Sequence, residues 1–189
     1  RYALDVAHSD THGESITPRR LRGAGPVDND GYRNTTASLK LGATPAEQTE
    51  INLVARHIKA SSELDVGLGE DPDAETQTKQ RFLRIEAKAA LLDRRWRPTI
   101  ALSNTTHVRT NVDERQSSVG DEDHTHFRGD KTKLEFQNDI YLTWNNIVTV
   151  GVETEKEKMT SSGTSIIGSS FGDFVLTQNT NAEAKTKAF

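Results

Sequence analysis

Cysteine is absent from the 189 residues, which removes disulfides, thiolate metal sites and cysteine nucleophiles. Long apolar runs are missing too. No stretch approaches the ~18 apolar residues of a membrane helix, so a helical membrane protein is excluded. A basic excess is lacking: the formal net charge is −4, and no basic face stands out, which argues against nucleic acid as a partner. Hydrophobic residues make up only 33%, little for a packed globule. That fraction suits a wall in which every second strand residue meets an apolar medium. The six histidines and the loop serines show no spacing that supports a nucleophile, base and orienter. No enzyme is expected.

What the chain does have is alternation, clearest from Thr132 to Glu155. Leu134, Phe136, Ile140, Leu142 and Trp144 share one side, interrupted by Asn138; Lys133, Glu135, Gln137, Asp139, Tyr141 and Thr143 share the other. A period of two is the signature of an extended strand. Alternation resumes as Val148, Val150 and Val152 against Thr149, Gly151, Glu153 and Glu155. A three-residue turn, Asn145 to Ile147, would pair Trp144 with Val148 and keep both apolar rows on one face, whereas a two-residue turn would flip one of them. Strands of this length exceed the roughly 5–6 residues usual in soluble proteins and match the roughly 9–11 that cross a bilayer. A soluble sandwich alternates as well, but length favours a barrel, with Trp144 placed where an aromatic girdle belongs.

The same pattern predicts strands over Tyr2–Ser9, Tyr32–Gly42, Ile51–Ala60, Thr78–Leu92 and Trp96–Thr106, then the long hairpin, then a last strand over Glu183–Phe189. Pro98 gives no backbone N–H and is expected near a strand end. Loops near 10–31, 61–75, 111–125 and 159–182 are long, and the turns between them are short. Long loops at one rim and short turns at the other are what an up-and-down membrane barrel shows. The expected fold is therefore all-β: an antiparallel up-and-down transmembrane β-barrel of about eight strands, one partial barrel domain over residues 1–189. The inner row carries Lys40, Arg84, Glu86, Lys88, Lys133, Glu135, Asp139 and Glu153. So many ions suit a wet or plugged bore better than a small dry one, which favours an arc of a wide barrel. Both ends look internal: Arg1 opens on a strand, and Phe189 is preceded at alternate positions by Lys187, Lys185 and Glu183.

Two loop clusters invite chemistry. His124 and His126 share a strand face beside Asp121, Glu122 and Asp123, a donor set that suits a divalent transition metal or simple solvation. Arg19-Arg20-Leu21-Arg22 could meet anionic lipopolysaccharide or an anionic ligand.

Three segments, Asp28-Asn29-Asp30-Gly31-Tyr32-Arg33-Asn34-Thr35-Thr36, Glu75-Thr76-Gln77-Thr78-Lys79-Gln80 and Thr132-Lys133-Leu134-Glu135-Phe136-Gln137-Asn138-Asp139, in this order and with these strands between, resemble the barrel of TonB-dependent outer-membrane receptors, in particular the cobalamin transporter subgroup. The resemblance implies a 22-stranded barrel in the outer membrane of a Gram-negative bacterium, a plug domain that contacts TonB and is absent from these residues, outer-membrane lipid around the wall, and uptake of cobalamin or a metal chelate such as a siderophore or haem. It implies a Ca2+ site at Asp28, Asp30, Asp65 and Asp73 (or Glu75), with a family acidic position falling near Ser15, and ligand contacts at Val66 and Thr125. Clustered loop carboxylates supply the oxygen donors Ca2+ takes, although Asp-Asn-Asp-Gly also reads as a turn. A small closed outer-membrane barrel with a structural or adhesive role is the alternative.

Overall fold

In the computed structural model, which describes residues 1–15, 18, 20, 29–64, 73–114, 121–143 and 146–189, the alternation becomes one antiparallel sheet. Its strands are β1 (Tyr2–Thr11), β2 (Tyr32–Ala43), β3 (Thr49–Glu63), β4 (Glu75–Ala89), β5 (Trp96–Asp113), β6 (Asp121–Thr143), β7 (Asn146–Ile167) and β8 (Phe174–Ala188). They pair strictly in chain order, and β1 and β8 each have a neighbour on one side only. The sheet is an open arc, not a small closed barrel. Nor is there a second layer. Ala74 and Ala101 are the buried apolar residues among those described, while Leu134, Phe136 and Val150 are exposed. A sandwich would have buried these side chains.

The two faces differ as parity demands. Leu53, Ile85, Leu102 and Leu134 are cross-strand partners on one face; Val54, Arg84, Ser103 and Lys133 are the matching partners on the other. The ionic face is the sheltered one: the Glu86 side chain is 18% exposed, against 49% for Leu83 and 50% for Ile100. We term it the inner face.

The oily band does not follow the hydrogen-bonded register. Starting at Leu4, successive partners are Leu39, Ala55, Leu83, Asn104, Thr132, Lys156 and Lys185. The path begins among apolar residues and ends among lysines. From β1 to β7 the band drifts steadily toward the short-turn rim. Strands tilted by about 35–45° to a bilayer normal require such an oblique band, because a horizontal slab crosses each strand lower in register than the last. On β8, Glu183, Lys185 and Lys187 face outward on the long-loop side of that band.

The hairpin differs from expectation in register. Ile140 pairs with Val148 and Thr143 with Asn146, with a bulge between Tyr141 and Thr143; Trp144 and Asn145 lie outside the described residues. Trp144 therefore is not the partner of Val148. A Thr143–Asn146 closure alone would set Ile140 opposite Thr149 and flip one row. The extra residue, Leu142, restores parity.

The long-loop ends also differ. β5 runs on to Asp113 and β6 starts at Asp121, so most of 111–125 is strand; β7 reaches Ile167 and β8 starts at Phe174, so most of 159–182 is strand as well. Strand likewise claims Asp10 and Thr11, Ser61 to Glu63, and Glu75. Apart from the β7–β8 tip, where Ile166 and Ile167 pair with Val175 and Phe174, these extensions are mostly polar, so pairing continues where the apolar row has thinned out. At the other rim β4 stops at Ala89 rather than Leu92, because Leu92, Asp93 and Arg94 take φ of 51°, 53° and 67°, a left-handed run no strand contains.

Asn138, the polar interruption in the oily row, is answered by its neighbour: the Trp96 indole N–H donates to its side-chain oxygen at 2.9 Å. Pro98 pairs with Asn138 on β6, and the β4–β5 ladder stops one residue short of it, at Lys88 and Thr99. Removing the donor by Trp96→Phe leaves an amide unsatisfied on the outward face and should cost about 1–3 kcal/mol. Adding Asn138→Leu should recover most of that loss. Urea unfolding of the four combinations in vesicles measures both.

Candidate functional site

The inner face divides into two zones. Toward the short turns it is ionic, because β4, β6 and β7 bring alternating charges into register. Arg84 bridges Glu135 and Glu86, with 3.1 Å to Glu86. Lys88 holds Glu86 at 2.8 Å, and Lys133 spans Glu135 at 3.2 Å and Glu153 at 2.8 Å. One strand-step away Lys131 joins Glu155 and Glu157, at 2.7 Å and 3.2 Å. The hollow beneath is about 950 Å³ and includes Arg84, Glu86, Lys88, Arg97 and Glu135 in its lining. Charges this sheltered persist because each finds a partner.

Toward the long loops the inner face carries a neutral, hydrogen-bonding row between Arg109 on one side and Asp113 and Asp123 on the other. Ser62, Thr76, Asn111, Thr125, Gly163 and Gln178 are successive cross-strand partners. The Thr76 hydroxyl donates to the Asn111 side-chain oxygen at 2.9 Å, and the Asn111 amide donates to Thr125 Oγ1 at 2.8 Å. A Cβ on Gly163 would come within 2.7 Å of Thr125 Cγ2, so the glycine leaves room for that methyl. One step further toward the rim Asp113 and Asp123 are opposed, and Ser165 donates to Asp123. Below the row, His107 meets Phe127 edge-on at 6.0 Å. This upper zone holds hydrogen-bond donors, acceptors and one aromatic pair on a single face.

Thr125 thus stands on the inner wall, inside β6 rather than at a loop edge. Asn111 and Thr76 were missed by sequence reasoning; parity would have found them had β5 and β4 been drawn to their full length. Asp28, Asp65 and Val66 lie outside the described residues. Asp30 and Asp73 are described and half-buried, directly before β2 and β4. Between them the ends of β3 and β4 place Glu63 opposite Glu75, where Glu63 accepts from the Gly31 N–H at 2.9 Å. The Ser61 hydroxyl, and next the Gln77 amide, hold the Glu75 carboxyl below the usual carboxylate range. Glu75 sits at the long-loop rim, well beyond the oily band. All these donors are oxygens, the chemistry that Ca2+ accepts.

The histidine cluster is only partly assembled. His124 Nε2 lies 3.6 Å from Glu114 and 3.4 Å from Glu122, the one group of three potential ligands found among the described residues. Asp123 turns inward, and His126 meets Thr110 Oγ1 at 3.2 Å. Of the basic cluster, Arg20 is described and exposed; Arg19, Leu21 and Arg22 are outside the described residues.

No protein-family model matches the sequence, and neither does any curated protein. Solved structures do match. The unliganded ferric citrate transporter FecA superposes with a TM-score of 0.62 at 11% identity, over 98% of this chain and 28% of that one. The ferric yersiniabactin uptake receptor FyuA from Yersinia pestis gives 0.57 at 12% identity, over 98% of this chain and 31% of that one. By fold, the sheet resembles a stretch of TonB-dependent receptor barrel. The chain spans about three-tenths of the length of each of these similar structures. An open arc with two free edges is what such a stretch looks like.

Proposed function

We propose that this chain forms part of the wall of a TonB-dependent receptor in the outer membrane of a Gram-negative bacterium, taking up a scarce metal chelate. The observation that carries the reading is the oblique oily band on the outward face, backed by ionic and hydrogen-bonding zones on the inner one. The band fits a tilted membrane wall, and the neutral row through Thr76, Asn111 and Thr125 suits a polar chelate passing from the loops into the bore. The similar structures are a ferric citrate transporter and a ferric yersiniabactin uptake receptor, which favours a ferric chelate over the cobalamin that the sequence resemblance implies. The work is binding and gated passage, with no covalent step. A plug domain beyond this chain would couple it to TonB.

On this reading Ca2+ orders the first two long loops through Asp28, Asp30, Asp65 and Asp73, with Glu75 as a further oxygen donor, and Val66 joins Thr125 in touching the ligand. Uptake of labelled ferric chelates and of cobalamin by cells carrying the full-length receptor, with and without TonB, tests the assignment. TonB-independent entry of both ligands would end it. The double variant Asp28→Ala with Asp30→Ala should lower Ca2+ affinity about tenfold or more, since affinity follows the number of charged ligands. Chelate affinity should fall with it; calorimetry of the intact receptor reads both. Unchanged Ca2+ binding would remove the metal while leaving transport standing.

A further inference from the structure

At the long-loop rim, well beyond the oily band, the outward face carries three metal-ligating side chains that neither uptake nor the inner network uses. The β5–β6 ladder closes with Val112 opposite His124 and Asp113 opposite Asp123. Parity turns Asp113 and Asp123 inward and leaves His124 on the outward side with Leu134. Glu114 follows β5 onto that same side, and Glu122 precedes His124 on β6. The imidazole thus stands between two carboxylates drawn from the two legs of one hairpin. Its Nε2 lies 3.6 Å from Glu114 Oε1 and 3.4 Å from Glu122 Oε1, and the three donor atoms lie within 4.8 Å of one another. The outward neighbours are Val112, Thr164 and Ile166. Among the described residues no lysine or arginine pairs with either glutamate; Arg128, the outward cation on β6, is held by Asp130 at 2.7 Å.

Two carboxylates held this close repel each other. An imidazolium between them neutralises one and leaves the other, whereas a divalent cation neutralises both and takes the imidazole as a neutral donor. The spacing fits such an ion. Ligand bonds of about 2.0–2.2 Å in tetrahedral geometry set neighbouring donors roughly 3.3 Å apart, close to the two distances seen from Nε2. The donor types decide which ion. Oxygen donors alone suit Ca2+ and Mg2+, and an imidazole in the set turns the preference to Zn2+, Ni2+ or Cu2+. We propose that Glu114, Glu122 and His124 bind one divalent transition-metal ion such as Zn2+, with water completing its shell, and that the ion clips the end of β5 to the start of β6. It thereby joins the two strand ends between which residues 115–120 run. His126, on the same face, is engaged with Thr110 Oγ1 at 3.2 Å and stays outside the set. Donors and place both separate this site from the all-oxygen Ca2+ set, and its occupancy does not depend on uptake.

The test uses the full-length receptor without a histidine tag, purified in detergent and stripped with a chelator, with Zn2+ and Cu2+ as probes and no iron chelate present. Calorimetry should show a Zn2+ site that survives a large excess of Ca2+. His124→Ala should weaken that site by about a hundredfold and Glu122→Gln by about tenfold, while His126→Ala should leave it unchanged. Spin resonance of bound Cu2+ should show coupling to one imidazole, lost in His124→Ala and kept in His126→Ala. At Zn2+ about a hundred times its dissociation constant, amide exchange at Val112, Asp113 and Asp123 should slow by about a hundredfold, and should not slow in His124→Ala. Zn2+ affinity untouched by His124→Ala, or exchange at these amides equal with and without Zn2+, would overturn the proposal. Every readout is taken without transport, so failure here leaves the uptake reading standing, and TonB-independent entry of the ligands leaves this site standing.

Discussion

Phe136→Arg is expected to destabilise folding into a bilayer by about 2–4 kcal/mol, while Gln137→Arg, one residue along, should change it by less than about 1 kcal/mol. The difference is a direct consequence of parity. Phe136 pairs with Ile100 on one side and Val152 on the other, and all three face outward. An arginine there must reach from the middle of the oily band to the nearest water. Gln137 pairs with Thr99 and Gly151 on the inner face, where its neighbours are polar and Asp139 accepts from it at 3.2 Å. Ile100→Arg should cost as much as Phe136→Arg. Because the two residues are direct partners, the double variant should fall short of the sum, the side chains sharing one distortion of the surrounding lipid. Urea-dependent folding of the full-length barrel into vesicles gives all four values. Equal costs at 136 and 137 would remove the membrane wall and most of what is argued from it.

The second large effect is predicted for Arg84. Its guanidinium joins Glu135 on β6 to Glu86 on its own strand, and its side chain is 30% exposed. Arg84→Ala leaves two carboxylates facing each other across β5, with Lys88 and Lys133 held at the flanks. Stranding a partner of a fully buried pair costs roughly 3–5 kcal/mol; water reaches this one, so about 2 kcal/mol is expected. Arg84→Ala combined with Glu135→Ala should cost less than the two single changes added, with a coupling of about 1–2 kcal/mol. Additive losses would mean that the network is decorative and that the bore hydrates each charge separately.

Much of this architecture was legible from residue order. The rows Leu134, Phe136 and Ile140, and Val148 to Val152, announce strands because period-two alternation survives wherever one face meets an apolar medium and the other does not. The alternation of long loops with short turns predicted the chain-order pairing that is observed. The candidate site was less legible. Thr125 appeared as a residue at a strand top; its place in the row with Thr76 and Asn111 depends on β4, β5 and β6 extending through stretches that are mostly polar. Such stretches carry only a weak periodic signal, Val108 and Val112 on β5 being its remnant, and backbone pairing reveals their full length.

Lys187, Lys185 and Glu183 show the same limit most clearly. Counted by twos from Phe189 they look like a spoiled lipid-facing row. In the sheet they do face outward, but strand tilt has already carried the oily band below them, and they become a charged collar above it. Residue order by itself determined which side chains share a face, since a strand allows two choices and the pattern selects one. Height across the wall, the bulge at Leu142 that rescues the hairpin's parity, and the hydrogen bond from Trp96 to Asn138 were decided only by the sheet. Those three depend on register between strands, and register is a property of pairs of segments that no single segment encodes.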